Sequence, residues 1–149
     1  MIEKATVLLA EDDPDDVLLT QLAFEKALLA NPLQVVRDGE EAIAYLKGEG
    51  QYADRQRFPL PILLLLDLKM PKATGFEVLE WLRTQSGLTA LPVAIMTSSD
   101  QDPDVARAYD LGADSYLNKP PDAAALLALV QRLHAPWLIL NRPLECQPA

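Results

Sequence analysis

The feature that most limits how this chain can fold is a series of short, nearly unbroken apolar runs, each closed by polar residues. "ILLLL" at 62–66 is the clearest. "ATVLLA" (5–10), "LQVV" (33–36), "LPVAIMT" (91–97) and "DSYLN" (114–118) complete the set. A strand apolar at successive positions has no face to give to water, so it belongs in a parallel sheet covered on both sides. Helical patterns lie between the runs. "DPDDVLLTQLAFEKALLA" (13–30) opens on Asp then Pro, the signature of an N-cap and first turn. "GEEAIAYLKG" (39–48) closes on Gly48, and "GFEVLEWLRTQSG" (75–87) on Gly87. "DPDVARAYDLG" (102–112) repeats the Asp-Pro start, and "PDAAALLALVQRLH" (121–134) places Leu126, Val130 and Leu133 on one face. The polar stretch "EGQYADRQRFPLP" (49–61), with two prolines, reads as a loop. Five strands alternating with five helices predict an α/β fold with a doubly wound, five-stranded parallel sheet and right-handed crossovers. Ligands of such sheets sit outside the carboxyl ends of the strands, where the strand order reverses.

Composition narrows the function classes. The 149 residues suit one domain, expected over 1–134, with a C-terminal extension at 135–149. No apolar stretch approaches the roughly 20 residues that cross a bilayer. The start "MIEKATVLLAEDD" lacks the flanks of a signal peptide, so a cytoplasmic protein away from membranes is expected. The single cysteine, Cys146, allows no internal disulfide and no cysteine metal cluster. With 22 acids against 13 bases the formal charge is −9, which disfavours nucleic acid and suits a bound cation or a basic partner.

The polar groups at the strand ends form the candidate site. The first strand ends in Glu11, Asp12 and Asp13, the third in Asp67, the fourth in Thr97, Ser98 and Ser99, and the fifth in Asn118, Lys119 and Pro120. Arg37 and Asp38, after the second strand, have no assigned role. A carboxylate closing a run as apolar as that before Asp67 is costly unless something pairs with it. Several carboxylates in one place repel unless a cation intervenes. Oxygen ligands of this kind suit Mg²⁺, which takes a few carboxylates and keeps several waters. Lys119 adds fixed positive charge and Thr97 a hydroxyl, so the group can hold an oxyanion beside the metal. Asp13 directly precedes Pro14 and reads mainly as a helix N-cap, leaving Glu11 and Asp12 for the cation.

Four stretches in order, "VLLAEDD", "LLLLDLKMPKATG", "VAIMTSS" and "YLNKP", resemble the receiver domain of two-component response regulators. Thr97 lies 30 residues after Asp67, and Lys119 a further 22 on, as in that family. The resemblance covers roughly residues 5–134 and implies the (βα)₅ flavodoxin-like fold. It implies Asp67 as phosphoacceptor, with Thr97 and Lys119 as the groups that bind the phosphoryl. Asp12, Asp67 and the backbone carbonyl of Lys69 would hold Mg²⁺ directly, and Glu11 through water. Thr97 and Tyr116 would form the switch, and the Lys119–Pro120 peptide would be cis. The donor implied is the phosphohistidine of a partner sensor histidine kinase. The protein is then a signalling acceptor rather than an enzyme on other substrates, beyond phosphorylating and dephosphorylating itself. A haloacid-dehalogenase-type phosphatase also uses a strand-end aspartate but wants a second one where Lys69 stands. A pseudo-receiver binding module typically lacks one of the acid, Thr or Lys positions, and all are present here.

The chain departs from the common receiver pattern at 49–61, read as an insertion, and at the apolar tail "APWLILNRPLECQPA". No helix-turn-helix or basic recognition helix follows the receiver segment, so a stand-alone regulator is expected. Both departures resemble the single-domain regulators encoded with cyanobacterial phytochrome kinases. Trp137, Leu138, Ile139 and Leu140 are apolar for a free tail and predict a homodimer, with folding back over the same domain as the rival reading. His134 is read as a helix C-terminal residue and Trp81 and Tyr45 as packing residues.

Overall fold

Each apolar run forms a strand of one parallel sheet: β1 Val7–Ala10, β2 Leu33–Val36, β3 Leu63–Asp67, β4 Val93–Thr97 and β5 Ser115–Asn118. The computed structural model describes residues 5–88, 90–97, 103–119 and 121–132, except the side chains of Thr97 and of residues 130–132. The helices are α1 Pro14–Lys26, α2 Gly39–Lys47, α3 Gly75–Arg83, α4 Pro103–Asp110 and α5 Ala123–Arg132. Strand order is β2-β1-β3-β4-β5, all parallel. The order reverses between β1 and β3, whose carboxyl ends therefore flank the crevice of a doubly wound sheet. No helix among the described residues is long and apolar enough to cross a membrane.

Burial on both faces explains why the central strands β1, β3 and β4 carry no alternating polar residues. Leu8, Ala10, Leu64, Leu66 and Ile95 pack with residues of α2, α3 and α4, among them Tyr45, Leu79 and Ala108. Their neighbours along the strands, Val7, Leu9, Leu63, Leu65 and Met96, pack with Val17 and Phe24 of α1 and Leu126 and Leu129 of α5. Leu63, Leu64, Leu65 and Leu66 are fully buried. Each such side chain contributes roughly 1.5–3 kcal/mol of transfer free energy.

Helix ends show where local chemistry set the boundary. Asp13 is the N-cap of α1 and accepts the Asp15 N–H at 2.9 Å, as its place before Pro14 indicated. Asp38 proves to be the N-cap of α2, accepting from the Glu41 N–H at 2.7 Å. Gly48 closes α2 at φ 76°. Two helices stop before the sequence signals suggested. Instead of running on to residue 30, α1 ends at Lys26, because Leu28 turns left-handed at φ 60°. The Leu29 N–H then bonds the Phe24 carbonyl and the Leu28 N–H the Glu25 carbonyl, a Schellman closure without its usual glycine. In α3 the end lies at Arg83 rather than Gly87, where the Thr84 hydroxyl donates to the Trp81 carbonyl at 2.6 Å. A separate 3₁₀ turn follows at Ser86–Leu88.

Segment 49–61 is largely exposed but is anchored to the core by Tyr52, Arg55 and Phe58 rather than being a bare loop. Its 3₁₀ helix Gly50–Ala53 buries Tyr52 against Tyr45, with ring centroids 4.9 Å apart, and Phe58 meets both rings edge-on. The Arg55 guanidinium donates to the Tyr45, Leu46 and Phe58 carbonyls, closing the end of α2 where carbonyls lack helical partners. Arg55→Ala should destabilise the protein by about 1.5–3 kcal/mol in urea unfolding, since hydrogen bonds from a charged donor are lost. A loss below about 0.5 kcal/mol would mean that the segment merely lies on the surface.

Candidate functional site

Four segments bring their polar ends to the crevice between β1 and β3. The residue after β1 is Glu11, whose N–H is paired with the Val36 carbonyl at 2.9 Å, so its side chain is fixed at the sheet's edge. That carboxylate is fully buried. Its Oε2 accepts the Asp13 N–H at 3.1 Å. Asp67 ends β3 at 3% exposure. Its Oδ1 accepts the Lys69 N–H at 3.0 Å and its Oδ2 accepts from Lys119 Nζ at 3.0 Å. Lys119, just past β5, reaches back across the sheet's end. Its ammonium also lies 3.2 Å from Glu11 Oε1 and 3.2 Å from Asp16 Oδ2.

The charge does not balance among these groups. One ammonium serves the carboxylates of Glu11, Asp16 and Asp67, and Asp12 stands exposed beside them. Burial pushes Glu11 up to about 7, opposed by the Asp13 N–H, reinforced by the charge of Asp67 and relieved in part by Lys119. Burial works against the charged form of Lys119, but its bonds and charge contacts with Asp67 and Glu11 outweigh that and hold it well above the usual lysine range. Glu11 Oε1 is buried and, despite its charge contact with Lys119, makes no hydrogen bond. Oxygens of Glu11, Asp12 and Asp67 lie within 4.8 Å of one another. An orphaned buried oxygen, surplus negative charge and a set of hard oxygen donors together fit a divalent cation.

The loop leaving Asp67 is strained. Lys72 and Ala73 are both left-handed, with φ of 51° and 82°, at roughly 1–2 kcal/mol for each residue carrying a Cβ. Two helix N-termini contain the loop. The Thr74–Glu77 capping box starts α3 just beyond it, and Glu40 of α2 donates its N–H to the Lys72 carbonyl at 2.9 Å.

The residues picked out in sequence fall as follows. Glu11, Asp12, Asp67 and Lys119 are brought together, with the Lys69 backbone alongside and its side chain exposed. The last residue of β4, Thr97, is paired with Asn118 of β5, which puts its backbone at the same end of the sheet. Its side chain lies outside the described residues, as do Ser98, Ser99, Pro120 with the expected cis peptide, His134 and the tail 135–149. Tyr116 stands half-buried against the side of the core formed by α2, α3 and α4. Asp16 was missed. An acid in a helix's first turn has a sufficient local reason in the helix dipole, and only the position of Lys119 reveals its second role.

The buried acid gives the metal-free protein a definite pH response. Glu11 is raised to about 7 from 4.5, so the stability it contributes is fully present below about pH 4.5 and is lost as pH rises through about 7. Urea unfolding of the parent and Glu11→Gln at pH 5 and pH 8 should show a parent-only loss on the order of 2–4 kcal/mol. Equal pH slopes for the two proteins would remove Glu11 as the source.

With this geometry in view, the likeness to known proteins is specific. The model of the response regulator receiver domain matches residues 7–131. Response regulator Rcp1 of Synechocystis sp. is 35% identical over 132 residues, covering 89% of this chain and 88% of that protein. The Mn²⁺-bound form of Rcp1 superimposes with a TM-score of 0.69 at 35% identity, covering 85% of this chain and 89% of the other. The bacteriophytochrome response regulator RtBRR gives a TM-score of 0.81 at 40% identity, covering 93% and 83%. The phosphorylated cyanobacterial phytochrome response regulator RcpA gives 0.71 at 35% identity, covering 85% and 89%.

Proposed function

The chain belongs to the response regulator receiver domain family, and on that premise we propose that it accepts a phosphoryl group on Asp67 from a phytochrome-type sensor histidine kinase, in a Mg²⁺-dependent reaction. Receiver domains of this family are signalling proteins that take phosphate from histidine kinases. The observation that carries the reading is the buried Asp67 carboxylate, 3.0 Å from Lys119 and grouped with Glu11 and Asp12 at the switch point of the sheet. Relatives similar along most of the chain are named as phytochrome regulators, and one was solved phosphorylated. Those names support the pathway.

Glu11, Asp12, Asp67 and the Lys69 carbonyl would hold the metal. When bound, Mg²⁺ supplies positive charge that offsets both the clustered carboxylates and the phosphoryl oxygens. Asp67 provides the attacking oxygen: its bond to phosphorus forms as the phosphorus–nitrogen bond of the donor phosphohistidine breaks, and the electron pair leaves with the imidazole. Phosphoryl transfer asks for alignment and charge neutralisation more than for a strong base. Lys119, kept protonated by its carboxylate neighbours, neutralises a phosphoryl oxygen. The Thr97 hydroxyl completes the oxyanion's contacts, and its movement toward the phosphoryl leaves room for Tyr116 to turn inward, biasing a two-state surface. Attack of water on the acyl phosphate restores Asp67, so self-phosphorylation and self-dephosphorylation are the only reactions carried out. The same reading includes a cytoplasmic receiver over 1–134 and a homodimer extended by 135–149.

Incubation with an autophosphorylated phytochrome-type kinase and Mg²⁺ should add one phosphoryl mass to the intact protein and none when the metal is chelated. Absence of transfer from such a kinase, with labelling by another histidine kinase, would contradict the phytochrome assignment. Protons compete with the metal at Glu11. Mg²⁺ affinity should therefore rise about tenfold per pH unit below about 7 and level off above it, as calorimetry would record. A flat affinity from pH 5 to pH 8 would take Glu11 out of the metal site.

A further inference from the structure

We propose that Gly39, in the first turn of α2, is a positioning residue for the acceptor site: it allows α2 to clasp the loop 68–74 and so fixes the backbone that carries Asp67 and Lys69. This inference rests on the reading of the acidic site given above. The loop does not hold its shape by its own sequence. Its two left-handed positions are Lys72 and Ala73, residues whose Cβ atoms resist that conformation. Something outside the loop must impose it.

The first turn of a helix has N–H groups without helical partners. In α2 two of them end on the loop. The Gly39 N–H approaches the Pro71 carbonyl at 3.4 Å, and the Glu40 N–H donates to the Lys72 carbonyl at 2.9 Å. This approach is open only to glycine. A Cβ on Gly39 would lie 2.0 Å from the Ala73 carbonyl oxygen and 2.7 Å from its carbon, backbone atoms that cannot swing aside as a side-chain tip does. The far end of the loop is closed in the same way. Gly75 donates its N–H to the Leu68 carbonyl at 3.1 Å, and a Cβ there would meet the Asp67 carbonyl oxygen at 2.7 Å.

The helix that clasps the loop is itself fixed. Asp38 caps its first turn. Glu41 accepts the Arg37 N–H through Oε1 at 2.7 Å and the Tyr52 hydroxyl through Oε2 at 2.6 Å. Arg55 closes its last turn. Helix α2 and segment 49–61 thus form one unit, and the acceptor loop hangs on its leading end. Side chains at a metal site are held by such outer contacts, whose loss typically lowers affinity 10–100-fold.

The test uses the full chain, its Gly39→Ala variant and the Ala42→Gly variant, which weakens the buried middle of α2 and leaves Gly39 and Glu40 at the loop unaltered. In the metal-free proteins, peptide-resolved hydrogen exchange should quicken over 39–40 and 68–74 in Gly39→Ala. In Ala42→Gly it should quicken along α2 and 49–61 and stay unchanged over 68–74. Calorimetric Mg²⁺ affinity should fall at least about tenfold in Gly39→Ala and stay within about twofold of the parent in Ala42→Gly. Unchanged exchange in the loop, or affinity losses in both variants that merely follow their melting temperatures, would overturn the clasp. A parent that binds no Mg²⁺ would defeat the reading of the acidic site, while the exchange comparison would still decide the clasp. Ala73→Gly adds no atom and guards against a misfolded Gly39→Ala. If α2 sets the loop, this variant melts higher and keeps its Mg²⁺ affinity within about twofold. If the loop's own sequence sets it, the added freedom lowers affinity about tenfold and the proposal fails.

Discussion

A single ammonium group holds together the ends of three strands and the first turn of a helix. Lys119 Nζ lies 3.0 Å from Asp67 and 3.2 Å from both Glu11 and Asp16. These contacts join the end of β3, the end of β1 and the first turn of α1 to the end of β5. Without it, buried Glu11 and Asp67 would face each other with their repulsion unrelieved by this charge. With it they remain close, yet the cluster still carries more negative than positive charge. That remaining imbalance leaves room for a divalent cation and, after burial itself, which acts most strongly, keeps Glu11 only partly ionised near neutral pH.

The sheet makes this arrangement possible because β1 and β3 carry no polar residue before their carboxyl ends. Leu63, Leu64, Leu65 and Leu66 fill both faces of the core, and the first polar side chain after them emerges where β3 ends. The parallel register places Leu66 beside Ala10, so Asp67 and Glu11 leave the sheet at the same level. The strand order 2-1-3-4-5 then opens a crevice at that point. Helix α2 supports the site from outside. Its leading end meets the loop after Asp67, and segment 49–61 secures its trailing end through Arg55 and Tyr52.

Strand runs and the Asp-Pro cap were legible in the sequence because each has a local cause. Burial on two faces requires "ILLLL", and Pro14 fixes where α1 begins. The grouping of Glu11, Asp12, Asp67 and Lys119 followed from fold topology once the strands were placed. What was not legible depends on tertiary contacts. Leu28 ends α1 in a conformation that sequence rules reserve for glycine, and the buried Leu29 beyond it stays in the core as a result. The charges of Asp54, Arg55 and Arg57 made 49–61 look like solvated loop, whereas Arg55 turns inward onto helix carbonyls. Asp16 was hidden by an adequate local explanation. Gly39 looked like an ordinary helix start, and only the nearness of the Ala73 carbonyl shows why no larger residue fits.

On the proposed function, Asp67 alone of the chain's 22 acidic residues receives the phosphoryl group. The most direct test is to treat the protein with a small acyl phosphate and Mg²⁺, reduce the acyl phosphate with borohydride and map the reduced residue by peptide mass spectrometry. Homoserine at position 67, absent when Mg²⁺ is chelated, is the predicted result. Reduction at Glu11, Asp12 or another carboxylate, or none at any position under conditions that label another receiver domain, would contradict it.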